Sequence, residues 1–241
     1  MRASTPVAVL LAAGLLGACS TPGPAASPVP STASSTTSAT PRTTSGPTPS
    51  PTTSTTATPT PTPTGPTPSD GRPTEARLSI PALRISGLVV QPYQGWTDDG
   101  PGTAIQNRGV AASPHGPRGG TGPGGIGNYQ VTAHRTTTPA PFRDLPSLAE
   151  GQEVHVDAGG VRYTYRVTET RKTSFRSEQS LAEQRAAVPG RPGVAPTQAM
   201  ITLSTCLTPE DRAAGNFWSD QYTNPEHRAD KIGVLVGSRP L

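Results

Sequence analysis

The chain has 241 residues, of which only 32% are hydrophobic while 30 are proline. So little apolar material and so many prolines do not fit one domain packed throughout, so part of the chain has no core of its own. The 20 basic and 16 acidic residues are scattered rather than clustered among aromatics, which argues against a nucleic-acid-binding surface.

The first element is the unbroken apolar run Val7–Ala18. Twelve residues at helical rise reach about 18 Å, short of a hydrocarbon core of ~30 Å. The run is therefore expected to be a secretory signal rather than a membrane span. It ends in Leu16-Gly17-Ala18-Cys19, which resembles the bacterial lipobox. That resemblance implies removal of residues 1–18 and a lipid on Cys19, which would hold the protein on the outer face of the membrane, towards the wall. An ordinary signal peptide with a chance cysteine is the alternative.

Residues 19–75 are a different material. Between Ser20 and Ser69 the only charged residue is Arg42, and nearly everything else is Pro, Thr, Ser, Ala or Gly. Without apolar periodicity nothing offsets the entropy of folding, so a disordered linker is expected. Some 50 residues in extended proline-rich conformation would reach on the order of 150 Å.

From Ala76 to Leu241 strand signals take over. Arg77–Ile80 alternates until Pro81, and Gly87–Val90 follows. Asn128–Ala133 leads to His134. Glu153–Val156 and Val161–Val167 alternate on either side of Gly159-Gly160, a hairpin signal. Met200–Leu203 leads to Cys206, and Lys231–Val236 is the last apolar run. Short helices are expected over Phe142–Leu148 and Glu178–Ala187, and the glycine-rich stretch Gly116–Gly127 is expected to be a loop. Seven or eight short strands point to an all-β barrel or sandwich.

Of the two cysteines, Cys19 and Cys206, each sits in its own context, which argues against a disulfide between them. Cys206 lies where an apolar strand runs into the loop Leu207-Thr208-Pro209-Glu210, a place where a thiol has access. His134 also follows a strand. His155 alternates within a strand, His115 lies in a Gly/Pro loop, and His227 is a weaker rival beside Arg228.

At these residues the chain resembles a known family. Thr202-Leu203-Ser204-Thr205-Cys206 resembles the TLxTC signature of sortases. His134-Arg135-Thr136-Thr137 with Pro141-Phe142-Arg143-Asp144-Leu145, then Leu148–Val154, resembles the corresponding stretches of actinobacterial sortases of class E or F. The resemblance implies a closed eight-stranded β-barrel and a cysteine transpeptidase that needs no cofactor. It implies Cys206 as nucleophile, His134 as acid and base, Arg228 as the cationic partner and Thr205 as a substrate contact. The expected substrates are secreted proteins with a C-terminal Leu-Pro-x-Thr-Gly-like motif, cut between Thr and Gly. The expected acceptor is a cell-wall or pilin amine. Lys231, at the start of the final apolar run, and Arg212 remain alternatives for the cation, because the Leu207–His227 loop is longer than is usual in the family. Another cysteine peptidase, or a catalytically silent wall-associated binding lipoprotein, are the competing readings. No acidic cluster has clear calcium-ligand spacing.

Overall fold

The computed structural model describes residues 65–241. The expected signal peptide, Cys19 and most of the expected linker lie outside the described residues. The end of that linker does not: Ser69 N donates to Gly124 O at 2.9 Å and Gly122 N to Gly71 O at 2.8 Å. The tied segment thus begins several residues before Ala76.

Eight strands run in chain order: β1 (Ala76–Ile80), β2 (Ile85–Gln94), β3 (Ala111–His115), β4 (Gly127–Thr132), β5 (Glu153–Ala158), β6 (Val161–Ser174), β7 (Ala199–Cys206) and β8 (His227–Pro240). They close into a barrel in the order β1-β2-β3-β4-β7-β8-β6-β5, the architecture the family resemblance implied. Parallel pairing occurs at β2·β3 and β4·β7, and each such connection needs a crossover. The first crossover carries helix α1 (Gly100–Gln106) and the β6-to-β7 connection carries α2 (Glu178–Arg185). A third helix, α3 (Thr208–Ala213), follows β7 where a loop was expected. Only Leu145–Ser147, as a 3-10 turn, forms of the helix expected over Phe142–Leu148.

The strand pleat sorts the side chains. Tyr129, Val131, Ile201 and Leu203 join Leu78, Val154, Val156, Tyr165 and Val167 in the barrel core. The alternate residues of β4 and β7, Asn128, Gln130, Thr202 and Ser204, are buried on the outer face instead. They are polar because α2 covers them with polar groups. Asn128 Nδ2 donates to the carbonyls of Gln184 and Ala186 at 3.1 Å each, and Gln184 Nε2 donates to both carboxylate oxygens of Asp230 at 3.0 Å.

The glycine-rich loop is a loop, as expected, for a steric reason. A Cβ on Gly122 would fall 1.9 Å from Arg72 O, and one on Gly120 would fall 2.1 Å from Asn128 O. Any side chain there would push the N-terminal segment or β4 away.

Candidate active site

Cys206 is the last residue of β7 and Arg228 the second of β8, and the two are direct antiparallel partners. Directly paired residues point to the same face, here the outer one. Leu207 N donates to His227 O at 2.9 Å, which fixes the register at the point where both strands leave the barrel. Cys206 is partly exposed. His134, just beyond β4, lines the same cleft of about 260 Å³, together with Asn107, Thr136, Tyr222 and Asn224. The three residues expected to act together are therefore brought together at one end of the barrel.

Arg228 has 0% exposure and is held on every side. Its Nε donates to Asp98 Oδ2 at 2.7 Å and its Nη1 to Pro225 O at 3.1 Å. Its guanidinium carbon stacks 4.0 Å over the Phe175 ring. Nη2 is buried without a partner. A buried donor left unmade is costly, and among the described residues this N–H has no acceptor.

Lys231, the alternative cation, lies three residues further along and hence on the other face. It pairs with Leu203 and donates to Thr170 Oγ1 at 3.0 Å. Arg212 lines a separate crevice with Phe217 and Trp218. Thr205 differs from expectation: it is 1% exposed and its hydroxyl donates to Ala133 O at 2.8 Å. Its place in the pleat aims it inwards, where it ties β7 to the residue before His134 rather than meeting a substrate.

His134 Nε2 lies 2.8 Å from Asn107 Oδ1. That oxygen only accepts, so Nε2 carries the hydrogen and Nδ1 is the nitrogen left to exchange protons. Burial lowers the His134 pKa, Asp98 acts against that and Arg228 with it. Burial raises the Cys206 pKa, opposed by Arg228. The resting pair is therefore thiol and neutral imidazole, and the thiolate–imidazolium form is a minority species.

Several supporting residues had no signal strong enough to single them out. Arg135 binds Glu210 through both guanidinium ends, one at 2.8 Å, and also donates to Cys206 O at 3.3 Å. It thus fastens the His134 segment to the chain just after the nucleophile. Asp98 and Asn107 flank α1, whose N-cap Asp99 accepts from Gly102 N at 2.8 Å. The run Asp98-Asp99-Gly100-Pro101 is a helix-start signal that could have been read.

A family model described as a sortase domain matches residues 78–218, more than half of the chain. The chain belongs to the sortase family. It is accordingly an enzyme, a cysteine transpeptidase. Solved structures similar to this sortase include a SrtA sortase from Actinomyces oris, at 20% identity and TM-score 0.53, covering 69% of this chain and 82% of that one. Sortase E from Streptomyces avermitilis aligns at 24% identity and TM-score 0.50, covering 71% and 93%. Sortase E1 from Streptomyces coelicolor, solved with a tripeptide in its active site, aligns at 23% and 0.50, covering 72% and 94%. At these identities the likeness is one of fold. No curated protein matches the chain.

Proposed function

We propose that this sortase cleaves a C-terminal Leu-Pro-x-Thr-Gly-like motif of secreted proteins between Thr and Gly, and passes the acyl group to a cell-wall or pilin amine. Cys206 Sγ as thiolate attacks the Thr carbonyl carbon and forms a tetrahedral oxyanion. The C–N bond then breaks, His134 gives its proton to the leaving amine, and a thioester remains. The incoming amine reverses the sequence: it loses a proton to His134, attacks the thioester and expels the Cys206 thiolate. Arg228 Nη2 donates to the oxyanion or to a neighbouring substrate carbonyl.

The observation that carries this reading is the pairing of Cys206 with Arg228 on one face, with His134 in the same cleft. The class E or F assignment rests on the motif resemblance around His134. The membrane placement rests on the lipobox at Cys19, and mass spectrometry of the mature N-terminus tests it. The activity is tested with a motif peptide plus an amine nucleophile, reading products by mass. The expected result is a new amide at Thr in wild type and none in Cys206→Ala. Turnover retained by that variant would remove Cys206 as nucleophile.

A further inference from the structure

A second cleft, of about 390 Å³, adjoins the first. Its walls include Trp96, Asp98, Phe175, Leu181, Arg185 and Tyr222. Asp98 and Phe175 are two of the groups that hold Arg228, so its inner wall backs onto that guanidinium. Tyr222 lines both clefts, so the loop it belongs to is a wall common to the two. His134, which handles the amine, lines the first cleft and not the second. Given the reaction proposed above, the second cleft is left for the acyl side: the substrate residues that precede the attacked threonine.

In that cleft one charge is unspent. Arg185 is half-buried, its Nε is fully enclosed, and among the described residues its guanidinium has no hydrogen-bond or ion-pair partner. The nearby carboxylates do not supply one. Asp98 is engaged by Arg228 Nε and by Gln106 Nε2, each at 2.7 Å. Asp99 caps α1 and also accepts from Trp96 N at 3.1 Å. Asp220 accepts from the Tyr222 and Asn224 amides at 2.8 Å each, and from Asn224 Nδ2. A second cation is at hand, because Arg118 stacks 3.7 Å over the Trp96 ring. Burial, with the Arg118 charge, lowers the Arg185 pKa against the opposing pull of Asp98, Tyr93 and Asp99.

Nor is Arg185 loosely placed. Its own carbonyl accepts from Gln130 Nε2 at 3.4 Å, and the residues on either side accept from Asn128 Nδ2. These bonds pin the end of α2 to the outer face of β4. The guanidinium is therefore presented from a fixed backbone, beside apolar surface from Trp96, Phe175 and Leu181. A carboxylate satisfies two N–H groups of such a fork at once and cancels the charge, which a neutral carbonyl cannot do.

We propose that Arg185 is a specificity-determining residue that selects sorting motifs carrying an acidic side chain among the residues just before the scissile threonine. This rests on the transpeptidase reading above and adds to it the charge class of the substrate. The test uses the full chain and peptides with Glu, Gln or Lys at each of the three positions before the threonine, and measures kcat/KM with one amine acceptor. At one of those positions wild type should favour Glu over Lys by about tenfold or more. R185A should lose that ratio, and R185E should reverse it in favour of Lys. Thermal unfolding of both variants checks the fold. Equal rates for Glu, Gln and Lys in wild type would overturn the assignment. So would an equal loss on all peptides in R185A, which would mean that the guanidinium holds a backbone carbonyl. Absence of turnover on every peptide by wild type would instead overturn the transpeptidase reading itself.

Discussion

Asp98 Oδ2 lies 2.7 Å from Arg228 Nε, inside a site where Arg228 has no exposed surface. The pair has two effects that mutation can separate. Removing one member of a buried pair leaves the other uncompensated, at a cost of about 3–5 kcal/mol. Arg228→Ala should therefore lower both stability and turnover, the latter on the order of 10²-fold or more. Adding Asp98→Asn to Arg228→Ala should restore much of the stability and none of the turnover. Arg228→Lys should also be impaired, because an ammonium cannot hold Asp98 and offer a fixed second donor together. Lys231→Ala, on the opposite face, should turn over near the wild-type rate. Calorimetry alongside peptide kinetics checks all four. A deficit in Lys231→Ala matching that of Arg228→Ala would move the cationic role.

Asn107 fixes which imidazole nitrogen titrates. Asn107→Ala should lower kcat by roughly 10-fold or more, because it frees the ring from its fixed tautomer. Asn107→Asp should return part of the rate, since its carboxylate still accepts from Nε2, and should raise the His134 pKa. Nitrogen-15 spectra of His134 would show the tautomer lost in the alanine variant. An unchanged tautomer there would remove Asn107 from the role.

The pH dependence follows from opposite shifts. Burial moves His134 below its ordinary 6.5 and Cys206 above its ordinary 9.0. The productive form needs the thiolate and the imidazolium together. With the cysteine pKa the higher one, that form rises in proportion up to the lower pKa, holds level, and falls beyond the upper. The profile of kcat/KM should therefore show a plateau that begins below pH 6.5 and ends above pH 9.0. Alkylation of Cys206 by iodoacetamide should have its midpoint above 9.0. A narrow peak, or alkylation complete at neutral pH, would mean a stable thiolate.

Glu210 and Arg135 give a stability prediction of defined sign. The hydrogen bond from Arg135 lowers the Glu210 pKa below its ordinary 4.5. A depressed carboxylate pKa contributes stability above the unfolded value and loses it as pH falls through the folded one. Glu210→Gln should thus be less stable than wild type at pH 7, with the difference shrinking below pH 4.5. Glu210 is half exposed, so screening limits the effect to about 1 kcal/mol. Denaturant titrations at the two pH values measure it.

What could be read from residues alone divides along physical lines. Strand alternation and strand-end placement located β4, β7, His134 and Cys206, because a period of two survives wherever a wall has one apolar face. β3 was missed because Ala111-Ala112-Ser113-Pro114-His115 has small residues and a proline, and it is held by partners distant in sequence. The same distance hides the support of the site. Asp98 meets Arg228 across 130 positions and Arg135 meets Glu210 across 75, so neither leaves a local pattern. Thr205 was misplaced for a simpler reason. One residue along a strand is a change of face, and the neighbour of the nucleophile therefore points into the barrel.

The bonds from residues 69–71 to the glycine-rich loop have a mechanical meaning. They lie beside Gly159 and Tyr163, at the end of the barrel where β6 begins and β8 finishes. The cleft is at the other end of those two strands, where Ser174 pairs with His227. Tension on the chain N-terminal to Gly65 would be borne first by the bond from Thr67 N to Ser238 Oγ at the far end of β8, then by the bonds from Ser69 to Gly124 and from Gly122 to Gly71. Those would peel before any force reached the strand ends that carry Cys206 and Arg228.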